Sequence, residues 1–257
     1  MTRRLLIGFA FVAPLLSLAF VRASWPLALV PLFVSHLLLL YPTLVPNCQW
    51  WGPVTTRFDT DEREVWLTID DGPTDAHTAK ILDLLQQFDA RATFFVVGAR
   101  AEKHPHLITE ILARGHAIAN HTQTHPSGSF WHAGPARIAR EIGGCAEVLR
   151  TTVDRPALLF RAPAGMKNPF VHPALGRRGM MLVGWTVRGF DTIQRNPERV
   201  VQRIENALRP GAIVLLHEGQ RIEREPEFNL RCLELTLERL AAHGYRCVIP
   251  KPEMLRA

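Results

Sequence analysis

Three observations predict a parallel α/β fold for this chain. Short apolar runs rich in β-branched and aromatic residues alternate with amphipathic stretches from residue 65 to residue 249. The amphipathic stretches stop at glycine or proline, where helices end. Polar, chemistry-bearing residues stand directly after the apolar runs. Such alternation builds βαβ units, closed into a barrel or left as an open sheet. In a parallel barrel the chemistry sits at the C-terminal ends of the strands.

The first 46 residues read differently. The stretch 5–21 is apolar apart from Gly8, Pro14 and Ser17, and 25–46 is a second apolar stretch broken by Pro26, Pro31, Ser35, His36 and Pro42. A membrane-spanning helix takes about 20 apolar residues. A two-span hairpin is the favoured reading, with Arg3 and Arg4 holding the N-terminus in the cytoplasm. Two alternatives stand beside it. One is a signal peptide cleaved after Val21-Arg22-Ala23. The other is a second stretch that only lies in the membrane interface. A buried core helix is disfavoured, because neither stretch shows a polar face at helical spacing. Span counting places residues 47–257 as a separate domain on the cytoplasmic side of a bacterial inner membrane.

The remaining elements follow in order. A β-rich run covers 65–69, and 77–88 carries Ile81, Leu84, Leu85 and Phe88 on one helical face. A strand at 92–97 ends at Gly98, a helix at 104–114 stops at Gly115, and a short strand occupies 117–119. Helix 135–149 leads to strands at 157–160 and 180–185. Helix 197–208 ends at Pro210-Gly211, and strand 212–216 follows. Helix 228–243 ends at Gly244 before a last strand at 245–249.

Composition excludes several classes. With 47% hydrophobic and 21% charged residues in 257, the chain is not disordered. Four cysteines, at 48, 145, 232 and 247, are too few for a disulfide scaffold, and none lie at CxxC spacing. A single bridge stays open. No Asp or Glu precedes Asp59, and Arg3, Arg4 and Arg22 supply half of the net charge of +6. The rest lacks Lys/Arg clusters, so a nucleic-acid partner is not expected. No glycine-rich phosphate loop follows the first strand, so neither is a nucleotide cofactor.

The chemistry lies at the strand ends. Asp70 and Asp71 follow the first strand, then Gly72-Pro73. Neighbouring strand residues point opposite ways, so one carboxylate can serve as ligand and the other as base; a capped turn is the plainer alternative. His121 and His125, four apart after the third strand, would meet on one face of a helical turn and form half a metal site. With Asp71 they make a His₂Asp set that leaves coordination positions open. Arg161 follows the next strand and suits orientation of a carboxylate. Pro163 and Gly165 suit an exposed bend whose N–H faces an oxyanion. His217 ends the sixth strand as a candidate general acid, with Asp191 to orient it or merely to cap a turn. The other histidines read as surface or packing residues.

These motifs together resemble one family. The segments 68–73, 121–125, 161–165, 185–191 and 215–217 are similar, in order, to the five motifs of the polysaccharide deacetylases, the NodB-homology enzymes of carbohydrate esterase family 4. The connecting segments 92–98 and 115–121 share the likeness, which spans about residues 65–249. The resemblance implies a distorted (β/α)7 barrel and metal-dependent hydrolysis of an N-acyl group, above all N-acetyl, on an amino sugar. It implies Asp71, His121 and His125 as ligands of one divalent ion, usually zinc, with cobalt or nickel as alternatives. Asp70 would be the base, Arg161 its positioning partner, His217 the acid and Asp191 the group that tunes it. Leu215 would line the acyl pocket, the backbone N–H of Ala164 would face the oxyanion, and Pro163 and Trp185 would border the substrate. Departures from the family pattern fall around the groove: Ile69 replaces a Phe, Ala164 a Tyr and Thr192 a Trp, while Phe130 and Trp131 offer replacement aromatics.

The leading expectation is thus a membrane-anchored sugar N-deacetylase acting on a polysaccharide or oligosaccharide. A deacylase or deformylase of a lipid-linked sugar is the alternative. A metal-free glycan-binding relic is disfavoured because ligands and base are all present. A metallophosphatase would need further carboxylates for a second metal.

Overall fold

The computed structural model describes residues 2–154, 156–218 and 227–257. It opens with two antiparallel helices, α1 (Thr2–Val21) and α2 (Trp25–Leu44), packed on each other. At 20 residues each they are about 30 Å long, enough to cross a bilayer. Their outward faces are bare apolar surface: Phe11 is 77% exposed and Trp25 72%. Helix α2 runs unbroken through Pro31 and Pro42. By length and composition both are candidate spans; a signal sequence passes the same test.

The barrel follows. In chain order come β1 (Arg57–Phe58), β2 (Glu64–Asp70), α3 (Thr78–Gln87), β3 (Ala92–Val96), α4 (Gly98–Lys103), α5 (Pro105–Ala113) and β4 (Ala117–Asn120). Next are α6 (Pro135–Val153), β5 (Leu159–Phe160), α7 (Val171–Gly176), β6 (Met181–Leu182) and β7 (Val187–Arg188). The chain ends with α8 (Pro197–Glu205), β8 (Ala212–His217), α9 (Phe228–Ala242), β9 (Arg246–Cys247) and β10 (Leu255–Arg256).

Among the described residues, seven parallel strands in the order β7-β8-β2-β3-β4-β5-β6 curl into a distorted (β/α)7 barrel, and an eighth, β9, pairs in parallel with the start of β2. Strand period decides which residues face the interior. On β2, Val65, Leu67 and Ile69 pack outward against the helices, whereas Trp66 joins Phe95, Ala119, Val183 and Ile213 inside. Thr68 and Asp70 share Trp66's parity. Register then sets the site: Asp70 pairs with Phe95 on one side and His217 on the other, and Asn120 pairs with Phe160. His121 and Arg161, one residue on, leave the sheet together.

Two expectations need correction. The strand expected at 180–185 shrinks to β6 at 181–182, and β7 at 187–188 is a separate strand beyond it. The carbonyls of Val183 and Gly184 between them accept from the Arg161 guanidinium instead of continuing the ladder. The last expected strand shrinks to β9, and the sheet gains antiparallel β1 and β10. All four cysteines are free thiols, so the bridge left open is not formed.

Candidate active site

The carboxylate of Asp71 is the centre of the polar cluster. Its Oδ1 lies 3.1 Å from His125 Nε2 and 3.5 Å from His121 Nε2. That oxygen is buried and has no hydrogen-bond partner. An orphaned buried carboxylate oxygen facing two imidazole nitrogens is what a cation site requires. The tautomer fits as well. His121 Nδ1 donates to the Arg161 carbonyl at 2.8 Å, which leaves the Nε2 lone pair free. Burial and the adjacent His121 push His125 down to about 4, so its ring is neutral at neutral pH. Burial would raise Asp71, but His121 and the charges of His217 and His125 hold it well below the usual carboxylate range. These three residues are the candidate cation site among the described residues, and the set fits a divalent ion.

The histidine pair does not sit on the expected helical turn. Thr122 and His125 have left-handed backbone, φ 69° and 52°, and the rings approach to 4.8 Å through an irregular loop. The two aspartates do not point oppositely either. A φ of 74° at Asp71 turns its side chain toward the same histidines that Asp70 faces, with Asp70 Oδ2 3.6 Å from His121 Nε2. Of the seven non-glycine residues with positive φ among the described residues, Asp71, His125 and Ala164 line this cavity, and Thr122 lies in the histidine loop beside it. Strained backbone concentrated at one cavity is a mark of function.

Asp70 is 2% exposed and bound by the wholly buried Arg161, whose Nη1 donates to Oδ1 at 2.7 Å. The same guanidinium donates to Thr68 Oγ1 at 2.9 Å and to the Gly184 carbonyl at 2.8 Å, and stacks 4.1 Å from the Phe95 ring centre. Every face of the arginine is engaged, so its orientation is fixed. Across the cavity Asp191 holds His217 twice. The His217 backbone N–H donates to Oδ2 at 2.7 Å, and Nδ1–H donates to Oδ1 at 2.9 Å. Burial opposes charge on His217, yet Asp191, then Asp70 and Asp71, raise it above the ordinary imidazole value.

The cavity, of about 160 Å³, is lined by Asp70, Asp71, His121, His125, Ala164, Trp185, Leu215 and His217. Pro163 is buried behind Ala164 and does not line it. Several supporting residues carried no signal in the sequence. Glu218 is fully buried and takes hydrogen bonds from Thr74 and Thr78, which pins the Asp70-Asp71-Gly72-Pro73 turn. Burial pushes its carboxyl up. Glu141 caps the histidine loop through Thr124 N–H and Oγ1 at 2.9 and 2.7 Å. Their adjacency to His217 and to α6 hydrophobics was visible; the loop each would meet was not.

Known proteins resemble this chain in sequence and fold. The polysaccharide deacetylase sequence profile matches residues 57–183. A chitooligosaccharide deacetylase of Bradyrhizobium sp. (strain ANU 289) is 39% identical over 61% of this chain and 71% of its own length. A peptidoglycan-N-acetylglucosamine deacetylase of Bacillus cereus is 33% identical over 80% of this chain and 94% of its own. The chain belongs to the polysaccharide deacetylase family. Membership places it among hydrolases of carbon–nitrogen bonds other than peptide bonds. The barrel also superposes on peptidoglycan deacetylase PdaC from Bacillus subtilis with a TM-score of 0.66, at 26% identity, covering 74% of this chain and 89% of that one.

Proposed function

We propose that this deacetylase removes an N-acetyl group from an amino sugar with one divalent ion, zinc first, held by Asp71, His121 and His125. The observation that carries the reading is the orphaned Asp71 oxygen between two Nε2 atoms. A bound cation there supplies Lewis-acid polarisation of the amide carbonyl and lowers the pKa of water. Asp70 takes the proton of the attacking water, and Arg161 keeps that carboxylate aimed. The Ala164 N–H, on a left-handed bend at the cavity wall, offers a donor to the developing oxyanion. His217, kept protonated by Asp191, donates to the departing amine nitrogen, since an amide anion is too basic to leave. Leu215 and Trp185 close around the acyl methyl. The test is amine release from N-acetylated oligosaccharides by full-length protein, with and without added zinc. Zinc-dependent turnover that Asp70→Asn lowers by about 10²–10⁴-fold is expected; turnover untouched by that change rejects the assignment.

One observation favours a membrane-tethered substrate over a free one. Residues just past α2 pack on the cavity rim: Pro46 lies against Gly165, and Asn47 Nδ2 donates to the Trp185 carbonyl at 2.8 Å. Buried Lys167 clasps the same strap through the Val45 and Pro46 carbonyls, at 3.0 and 2.6 Å. Two residues of chain reach at most about 7 Å, so a membrane holding α2 lies close to the mouth. Faster turnover of a bilayer-embedded glycan than of the same soluble glycan is the expected result.

A further inference from the structure

A second basic surface opens beside the hydrolytic cavity. Arg188, on β7 and in register with Leu215, lines the cavity wall. It also lines an adjoining trough of about 610 Å³ together with Trp185, Phe190, Arg199 and Arg203. No carboxylate lines that trough. Among the described residues, none of the three arginines has an ion-pair partner, in contrast to Arg114, Arg150 and Arg231 on the surface. The aromatic rings hold the guanidiniums in place. Arg188 lies 5.8 Å from the Trp185 ring centre and 5.1 Å from that of Phe190, and Arg203 lies 4.6 Å from Phe190 on the same ring.

The contrast with Arg161 shows what is missing. Arg161 spends its donors on a carboxylate, a hydroxyl and two carbonyls. The Arg188 side chain makes a single hydrogen bond among the described residues, to Thr192 Oγ1 at 3.3 Å, and its Nε is buried without a partner. A buried guanidinium N–H left unmade is costly unless a ligand completes it. Arg203 is tied to the same strand by its Nε, which donates to the Arg188 carbonyl at 3.2 Å. Two guanidiniums fixed on one aromatic ring suit a group with several oxygens. A carboxylate fills one fork, whereas a phosphoryl group has three oxygens to share between two.

We propose that Arg188, backed by Arg203 and Arg199, forms an anion subsite continuous with the hydrolytic cavity, and that the sugar deacylated there carries a phosphoryl group. The inference rests on the N-deacylase reading and names its substrate class. The phosphoryl group enters no covalent step; it is gripped while the amide is cut. Glycosyl phosphates occur free or esterified to a lipid carrier, and both present the same chemistry to the trough.

Binding separates the subsite from catalysis. Metal-free full-length protein is titrated calorimetrically with glucose 1-phosphate, which has no amide to cleave, and with methyl glucoside and glucuronate as controls. Preferential binding of the phosphate is expected, weakened by about 10–100-fold in Arg188→Gln, less in Arg203→Gln, and partly restored in Arg188→Lys. Equal binding by wild type and Arg188→Gln, or preference for glucuronate, overturns the proposal. With metal added, kcat/KM for N-acetylglucosamine 1-phosphate over N,N′-diacetylchitobiose should exceed one and fall in Arg188→Gln. A ratio at or below one in the wild type overturns it. Hydrolysis of neither sugar, with Arg188-dependent binding intact, rejects the N-deacylase reading and leaves the subsite standing. A polyprenyl-diphosphate sugar set against the free phosphate then identifies the source, a higher kcat/KM for the lipid form marking the carrier.

Discussion

At the scale of single residues the site is a set of paired charges whose partners fix their protonation. Asp71 is the clearest case, since both histidines that face it present Nε2. His125→Ala or Asp71→Asn should therefore purify with much less bound metal than wild type by elemental analysis, while Asp70→Asn keeps it. Unchanged stoichiometry in both ligand variants rejects the set. His217 gives a pH prediction. Its folded value is raised, so the acid form persists to higher pH than a free imidazole, and activity falls on the basic side as the ring loses its proton. Asp191→Asn removes the largest charge that raises it and leaves burial, which lowers it. The basic limb of kcat/KM should then move to lower pH, with the acidic limb in place. A basic limb that does not move excludes His217 as the acid. Most of these residues were legible because each follows an apolar run. The helical turn assigned to His121 and His125 was not, because left-handed Thr122 and His125 carry no glycine to mark the bend.

Elements bring these residues together through contacts distant in sequence. The turn after β2 shows how. Gly72 sits against the Glu218 carboxylate so closely that a Cβ would strike it, and Glu218 is itself held by Thr74 and Thr78. Gly72→Ala must push the buried carboxylate away. Overpacking of this kind costs about 1–3 kcal/mol, a fall of several degrees in Tm for a chain of this size. Turnover should drop with it, since Asp70 and Asp71 begin the same turn. An unchanged Tm would show that Glu218 yields freely. The long buried strands β2, β3 and β8 were plain in the sequence as continuous apolar runs. Two-residue strands such as β1 and β10 have no period to read, and the break between β6 and β7 arises from Arg161, a partner more than 20 residues away.

For the whole molecule the question is which side of the membrane the barrel occupies. Helices α1 and α2 are antiparallel, so the N-terminus returns to the end from which the barrel departs. Arg3 and Arg4 line a shallow cleft with Gln49, Trp50, Trp51 and Gly52, residues that lead into the barrel. Two crossings would put the N-terminus and residues 47–257 on one side. Residues 2–46 hold no acidic residue, and their basic residues stand at helix ends, Arg3 and Arg4 at the start of α1 and Arg22 between the two helices. Two arginines at the barrel end against one at the hairpin tip give the positive-inside bias to the barrel side. Phe11, Leu15, Trp25 and Phe33 would otherwise present their apolar side chains to water. Cleavage after Ala23 would leave α2 without its packed partner and would export the barrel only if α2 failed to insert. The strap makes this matter for substrate choice, because a membrane that held α2 would lie near the cavity mouth on whichever side the barrel lay. A reporter fused after Ala257 decides the side. A fluorescent protein that folds only in the cytoplasm should be bright, and an alkaline phosphatase active only outside should be silent. Reversing the bias by Arg3→Glu with Arg4→Glu should weaken the fluorescence and raise the phosphatase signal. A wild-type chain with strong phosphatase activity and a dark fluorescent fusion would place the barrel outside, where its glycan is assembled wall or surface polymer rather than a precursor.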